Sequence, residues 1–396
     1  MVQSRVHLLI SDSMNDMAEC SINFLLKSRR SNSSNSSKSI KSSSVSSIRD
    51  GGVILFTSVF SLQKKMFCTT CEILSGALIV ITAYLLFQWF LRTLKVGDFN
   101  QKYVLVTGCD TGFGNMLAKQ LDELGFNVFA ACLTKEGVAD LRGCCTQKLE
   151  AFLMNVTKKE EIEKAEKLVR SRLPNDKGLW ALVNNAGVLG TFLFPECMTR
   201  KHYDEVMDVN IYGMIGVTTA FLPLLRVSRG RIVNVSSIFG KVTPSTCIPY
   251  CISKHAVESY SNGLRCALVI QNVTVHIIQP GGFATNLTLF ETIERRAIRD
   301  FEASPIEVQQ YYGKKAFDHF ISVLRDITGH LDTNLQRVVS CHIHAITARY
   351  PKYRYTPGFD AQFLIPLLRM LPVWLSDRIS IFKPEPPAGL KTVKTQ

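Results

Sequence analysis

Residues 102–114 read KYVLVTGCDTGFG, and the order of residue types in that stretch decides the fold. Residues 102–107 are rich in β-forming, apolar side chains, as in a strand covered on both faces. Gly108, Gly112 and Gly114 follow at once, and 116–124 then carries a helical apolar period. Strand, glycine turn and helix in succession let a backbone pass close to a phosphate. The N–H groups and partial positive charge of the helix N-terminus then point at it. The spacing is G-x-x-x-G-x-G rather than G-x-G-x-x-G, and a glycine turn alone is a weak signal.

Working outward, the alternation repeats. Strands are expected at 127–132, at 149–155 and at 180–183, the last running into Asn184-Asn185-Ala186-Gly187. Helices are expected at 158–172 and around 203–225, then a strand at 231–235 and a last core strand at 273–279. Such βα alternation predicts an α/β fold, a Rossmann-type doubly wound parallel sheet with helices on both faces.

Residues 233–254 read VNVSSIFGKVTPSTCIPYCISK, with Tyr250 and Lys254 four apart in a helical pattern. Positions i and i+4 share a helix face, so the Lys254 ammonium is expected beside the Tyr250 phenol. There it favours the ionised form and pulls down a pKa that is ordinarily about 10. A tyrosine so adjusted serves as general acid or base near neutral pH. Ser237, at the end of the preceding strand, is placed to hydrogen-bond the same substrate oxygen. Tyr-x-x-x-Lys also arises by chance about once in a chain of this size, leaving a surface tyrosine beside a lysine; the upstream glycine turn gives the pair its meaning.

The 396 residues carry 46 Lys and Arg against 33 Asp and Glu, a formal charge of +13. The basic residues are scattered, with part of the excess in the N-terminal tail. The expectation is therefore a solvated or membrane-facing basic surface and no nucleic-acid partner. Of the twelve cysteines, Cys109, Cys132, Cys251 and Cys266 sit in apolar stretches, where cysteine acts as a small hydrophobe. Cys68 and Cys71 form a C-x-x-C without a second ligand pair, so no metal site is expected.

Residues 1–65 are poor in core-forming side chains, and 31–47 is mostly Ser, Asn and Lys. Such a segment does not order itself. It reads as a disordered tail, a targeting segment, or an extension upstream of a start at Met66. Residues 73–91 contain no charge, and at about 1.5 Å per residue the run matches a bilayer's hydrocarbon thickness. Tyr84, Trp89 and Arg92 suit an interface and no small-residue cleavage site follows, which favours a transmembrane anchor over a core helix or signal peptide. Lys64 and Lys65 before the run oppose Arg92 and Lys95 after it; a start at Met66 favours a cytosolic catalytic domain.

Together TGCDTGFG, NNAG at 184–187, Asn210, Ser237, Tyr250, Lys254 and PGGFAT at 280–285 resemble the short-chain dehydrogenases/reductases, over about 103–286. GCDTGFG, AACLT at 130–134, GLWALVNNAG and YCISK are similar in particular to the branch of retinol dehydrogenases, 17β- and 11β-hydroxysteroid dehydrogenases and D-β-hydroxybutyrate dehydrogenase. The resemblance implies a catalytic tetrad of Asn210, Ser237, Tyr250 and Lys254, with Asn210 holding a water in a proton relay through Lys254. It implies that Gly108, Asp110, Thr111, Gly112, Phe113 and Gly114 surround a pyrophosphate, and that Asn184, Ala186 and Gly187 support the adenosine side. Thr134, Asn155 and Val156 fall on the adenine end, and Lys254 with Tyr250 on the nicotinamide ribose. Pro280, Gly281, Phe283 and Thr285 border the carboxamide, which Thr285 holds. Without the neighbouring motifs, Asn210 reads rather as the cap of a helix kink and Thr285 as a turn residue.

Two departures matter. Asn155 stands where the family usually has an adenine-contacting Asp; its amide oxygen can still accept a hydrogen bond. The second strand ends in Cys132-Leu133-Thr134, with no acid for a ribose 2′-hydroxyl, and Lys135 would attract a 2′-phosphate. Relatives sharing ACLT point to NAD, with NADP as the alternative. The Ser-to-Tyr loop, TPSTCIPY, is closer to the hydroxybutyrate enzyme, whereas GFDAQFLIPL near the C-terminus is closer to the retinol and steroid enzymes.

The division expected is a tail at 1–65, an anchor at 73–91, a dehydrogenase domain at 102–350 and a membrane-facing or substrate-entrance segment at 351–396, whose Pro366 and Pro372 argue against a second span. The function expected is hydride transfer between NAD(P) and the hydroxyl or carbonyl of a lipophilic steroid or retinoid at the endoplasmic reticulum membrane, with the homodimer pairing common in the family. Two alternatives stand beside it: 3-hydroxybutyrate oxidation in mitochondria, which requires a cationic carboxylate clamp, and a catalytically silent nucleotide-binding scaffold. The sequon Asn286-Leu-Thr tests topology, because a glycan there is incompatible with a cytosolic enzyme.

Overall fold

The structure, a computed structural model, describes residues 43–380 and 385–393; residues 1–42, most of the expected tail, lie outside it, as do the side chains of Cys68 and Cys71. The chain divides into two units, 1–84 and 85–396. Helix α1 runs Ser43–Thr93. Within its stretch Val59–Thr93 the most apolar 18 residues have a mean hydropathy of 1.9, and Leu78, Ile79 and Val80 all point outward. Residues 43–65 are thus helical where composition predicts an unstructured tail. Once an apolar run has nucleated a helix, each further residue adds a backbone hydrogen bond without needing tertiary packing.

The second unit is built on seven parallel strands: β1 (Tyr103–Thr107), β2 (Asn127–Cys132), β3 (Leu149–Leu153), β4 (Leu179–Asn184), β5 (Arg231–Val235), β6 (Thr274–Ile278) and β7 (Arg354–Tyr355). Their order is β3-β2-β1-β4-β5-β6-β7. Successive side chains of a strand point to opposite faces. Accordingly Val104 and Val106 of β1 join one apolar cluster and Leu105 joins another. A helix layer closes each cluster: α2 (Gly112–Glu123), α3 (Lys135–Cys144) and α10 (Gln336–Thr347) on the first face, α4 (Lys159–Arg172) and α6 (Met214–Ser228) on the second. The doubly wound sheet is the one the alternation predicts. Its order reverses between β1 and β4, and in open parallel sheets ligands gather beyond the strand C-termini at such a point.

Two features depart from the sequence reading and a third goes beyond it. The sheet continues past 273–279 to β7, beyond the expected domain boundary at 350, because Ile277 and Ile278 pair with Arg354 and Tyr355. A two-residue strand leaves no periodic signal. The helical pattern of 203–225 is broken into α5 (Arg200–Met207), a π-helical turn Asp208–Gly213, and α6; such turns cluster at functional sites. Finally Arg231, buried in β5, donates from Nη1 to the carbonyls of Ala345 (2.8 Å) and Ala348 (3.0 Å) at the end of α10. The negative end of that helix offsets a charge whose burial pushes its pKa down to about 10.

Candidate active site

The glycine turn is shaped by close approach. Gly108 has φ +69°, and a Cβ there would sit 2.8 Å from Ala186 Cα. A Cβ on Gly114 would overlap Gly108 O and Asn185 Nδ2. This bare backbone at the N-terminus of α2 is a cradle that side chains would fill, and it fits a pyrophosphate. Asn185 braces it, its Nδ2 donating to Thr107 O (2.9 Å) and Gly108 O (3.0 Å). Sequence reading passed over Asn185 in favour of Asn184, whose amide turns into the sheet interior toward Thr218 Oγ1 (3.0 Å) and Asn234 Oδ1 (2.8 Å).

Several expected cofactor residues have structural work of their own. The Asp110 carboxylate accepts from Leu133 N (2.8 Å), Thr134 N (2.8 Å) and Thr134 Oγ1 (2.7 Å), so an acid reaches the end of β2 from the glycine turn. Thr134 in turn caps α3 by accepting from Gly137 N, and Thr111 is the N-cap of α2. The Asn155 oxygen, expected to be available to a ligand, is taken by Thr157 N (2.9 Å) and Thr157 Oγ1 (2.8 Å), a local turn that residues two apart readily close. Val156 is buried against Gly213.

Ser237 ends the turn after β5, and its Oγ accepts from Phe239 N (3.2 Å). Tyr250 and Lys254 lie one turn apart on α7 (Ile248–Leu268), which Pro249 helps to start. Lys254 Nζ donates to Val235 O (2.9 Å) and stands 5.5 Å from the centre of the Tyr250 ring. Asn210, in the π-helical turn, donates to Val188 O (2.9 Å) and Ser253 Oγ (2.9 Å) and accepts from Val188 N (2.8 Å). A Cβ at Gly187 would lie 3.3 Å from Asn210 Oδ1 and 3.7 Å from Lys254 Nζ, which brings the asparagine and lysine of the expected tetrad to the same glycine.

The electrostatics correct one expectation. Lysine was to acidify the phenol; instead burial holds Tyr250 well above the usual tyrosine range, and the opposing influence is a hydrogen bond with Ser237. Burial likewise pushes Lys254 down to about 8. A charge facing the ring rather than the hydroxyl stabilises the phenolate less than a donor on the oxygen does.

A cavity of about 800 Å³ collects these groups: Ser237, Tyr250, Lys254, Phe113, Gly187 and Thr285 all line it, as do Pro280, Gly281 and Phe283. A second cavity of about 770 Å³ touches Gly112 and shares Thr285, Thr288 and Leu331 with the first, which joins the glycine turn to the tyrosine. Phe113 and Phe283 meet edge to face, ring centres 5.9 Å apart. Asp360, unmarked in the sequence reading, clamps the loop 280–285 by accepting from Gly282 N (2.7 Å).

The model of the family described as short chain dehydrogenase matches residues 102–294. Retinol dehydrogenase 7 of Mus musculus is 39% identical over 310 residues, covering 78% of this chain and 97% of that protein. The 17-beta-hydroxysteroid dehydrogenase type 6 of Homo sapiens is 40% identical over 296 residues, covering 75% and 93%. A solved short-chain dehydrogenase/reductase from Burkholderia phymatum, in complex with NAD, shares the fold at a TM-score of 0.57 and 20% identity, over 69% of this chain and 95% of that one. Identity of 39–40% along nearly the whole of such relatives, on a sheet of matching architecture, places this chain in the short-chain dehydrogenase family, in the branch of the retinol and hydroxysteroid dehydrogenases, as an oxidoreductase of CH–OH groups.

Proposed function

We propose that the chain is a membrane-anchored dehydrogenase that uses NAD to interconvert the hydroxyl and carbonyl of a retinoid or steroid in the endoplasmic reticulum membrane. One observation carries this reading: the cavity at Tyr250 is walled by Leu189, Phe192, Phe239, Leu324 and other apolar side chains, and its reacting hydroxyls sit together at Ser237 and Tyr250. Its volume of about 800 Å³ lies in the range of sites that enclose a lipophilic small molecule. The alternative substrate, a hydroxy acid, finds little support there. Among the described residues lining the cavity, Lys254 is the one Lys or Arg, and Asp326, Asp332 and Asp360 would repel a carboxylate.

Nicotinamide dinucleotide, when bound, supplies the hydride acceptor or donor. The protein's own part is positional and protonic. The turn of Gly108, Gly112 and Gly114 would hold the pyrophosphate, with Thr285 and Lys254 at the nicotinamide end. Ser237 orients the substrate oxygen, Tyr250 takes its proton in oxidation and returns one in reduction, and Lys254 contributes a positive charge beside the ring. Asn210, both amide protons committed to Val188 and Ser253, ties the segment after Gly187 to α7 beside Lys254.

Asp110 supports NAD over NADP. Its carboxylate lies at the end of β2, where dinucleotide folds present the acid that reads a ribose 2′-hydroxyl, and it opposes the attraction of Lys135 for a phosphate. Asp110→Asn is expected to lower the NAD-to-NADP ratio of kcat/KM by about 10-fold, roughly 1.4 kcal/mol; a ratio unchanged in steady-state assays with both cofactors would contradict the assignment.

The apolar surface of α1 supports anchoring. So do Phe363, Leu367 and Met370, all exposed on or beside α11 (Ile365–Met370), and Trp374, exposed on α12 (Val373–Ser380). Phe359 and Leu364, just before α11, are exposed and also line the cavity wall, which suits a substrate entering from lipid. Pairing of two copies through α6 and α7 belongs to the same proposal, with Tyr212 exposed in the π-helical turn before α6 and Ile252 exposed on α7. The full chain, expressed in cells, is expected to remain with membranes after an alkaline carbonate wash. In those membranes it should oxidise a retinol or hydroxysteroid with NAD. Release by the wash, or turnover of 3-hydroxybutyrate alone, would defeat the proposal.

A further inference from the structure

We propose that Glu258 is a positioning residue that keeps Lys254 charged, and so sets the alkaline limit of activity; the inference rests on the dehydrogenase reading above. Glu258 lies one turn beyond Lys254 on α7, on the same face, and is 5% exposed. A carboxylate at that depth is costly unless it is paired. Its partners come from three separate segments. Lys241, in the turn after Ser237, places Nζ 3.0 Å from Oε2. Arg354 of β7 places Nε 3.6 Å from the same oxygen. Gln279, just before Pro280, donates to Oε1 at 2.7 Å. The turn packs tightly on this part of the helix: a Cβ at Gly240 would lie 2.8 Å from Lys254 O and 3.1 Å from Glu258 Cγ.

One buried carboxylate therefore ties the Ser237 turn, Gln279 just after β6 and the helix of Tyr250 together, and it is the anion nearest in sequence to the ammonium the mechanism needs. The other titratable groups on this part of α7 and its cap are Tyr250, Cys247, Cys251 and His255; Lys241 and Arg354 approach from outside. Glu258 opposes the burial that pushes Lys254 down to about 8. The sign follows. Without its negative charge the ammonium loses its proton at lower pH, and the fall of activity on the alkaline side moves acidward. Lys241 and Arg354 compete for that charge, so removing Lys241 leaves more of it for Lys254 and moves the limb the other way.

The test uses the full chain in membranes or detergent, with Glu258→Gln, which keeps an acceptor for Gln279, and Lys241→Met, at a quarter-exposed site. The profile of kcat/KM against pH is measured, and NADH binding is followed by fluorescence over the same range. Glu258→Gln is expected to move the alkaline limb of both down by about one pH unit, and Lys241→Met to move it up. Limbs that stay in place, or move the same way in both variants while the plateau falls, would reduce the network to structural support. Should Glu258→Gln fail to fold, Lys241→Met decides alone. The binding profile decides even if no retinoid or steroid is turned over, which separates this inference from the substrate proposal.

Discussion

Tyr250→Phe is expected to lower kcat/KM by about 1,000-fold or more, while NADH binds within about two-fold of the unaltered enzyme. The ring keeps its place in either case. It packs edge to face on Phe239 with centres 6.2 Å apart, and it is buried in the cluster that includes Cys247, Cys251, Leu189 and Phe301. The substitution therefore removes one oxygen and little packing. What is lost is the group that moves the substrate's proton. Because burial raises the phenol and Ser237 is the partner that lowers it, Ser237→Ala should also be damaging, and its loss should combine with that of Tyr250→Phe less than additively. Steady-state kinetics with a fluorescence titration of NADH separate chemistry from binding. A residual activity within 10-fold of the starting enzyme would mean that the proton leaves by another route.

The parts of this site that the sequence discloses are those whose geometry is local. Gly108, Gly112 and Gly114 lie within one turn of chain, and Tyr250 and Lys254 within one turn of helix; residue type and spacing therefore carry most of the information. The parts it hides depend on distant chain. Asp360 reaches Gly282 across 78 residues, and Glu258 meets Arg354 through a strand of two residues. The electrostatic sign at Tyr250 is hidden for the same reason. Spacing gives the neighbouring ammonium, but burial depends on Cys247, Phe239 and the α8 (Phe290–Glu302) and α9 (Ile306–Gly329) segments that close over the cavity, and no local pattern reports it. Asn155 shows the converse: a polar side chain in the expected position had a nearer partner in Thr157.

Gly114→Ala is expected to destabilise the fold by about 2 kcal/mol and to weaken NADH binding by at least about 100-fold. The added methyl would overlap Gly108 O, which is backbone and cannot swing aside, and Asn185 Nδ2, which is held by Thr107 O and Gly108 O. Relief requires the turn to open or Asn185 to let go. Either movement displaces the N–H groups that a pyrophosphate needs, so binding suffers more than stability. Gly143 makes the matching control. It lies within α3 with nothing within 4 Å of where a Cβ would stand, so Gly143→Ala should raise stability by about 0.5 kcal/mol through helix propensity and leave binding alone. Thermal unfolding and NADH titration of the two variants side by side discriminate close approach from general glycine effects. If Gly114→Ala bound NADH within three-fold of the parent, the turn would have room that its contacts deny, and the phosphate cradle would have to be sought elsewhere along the β1 and β4 ends.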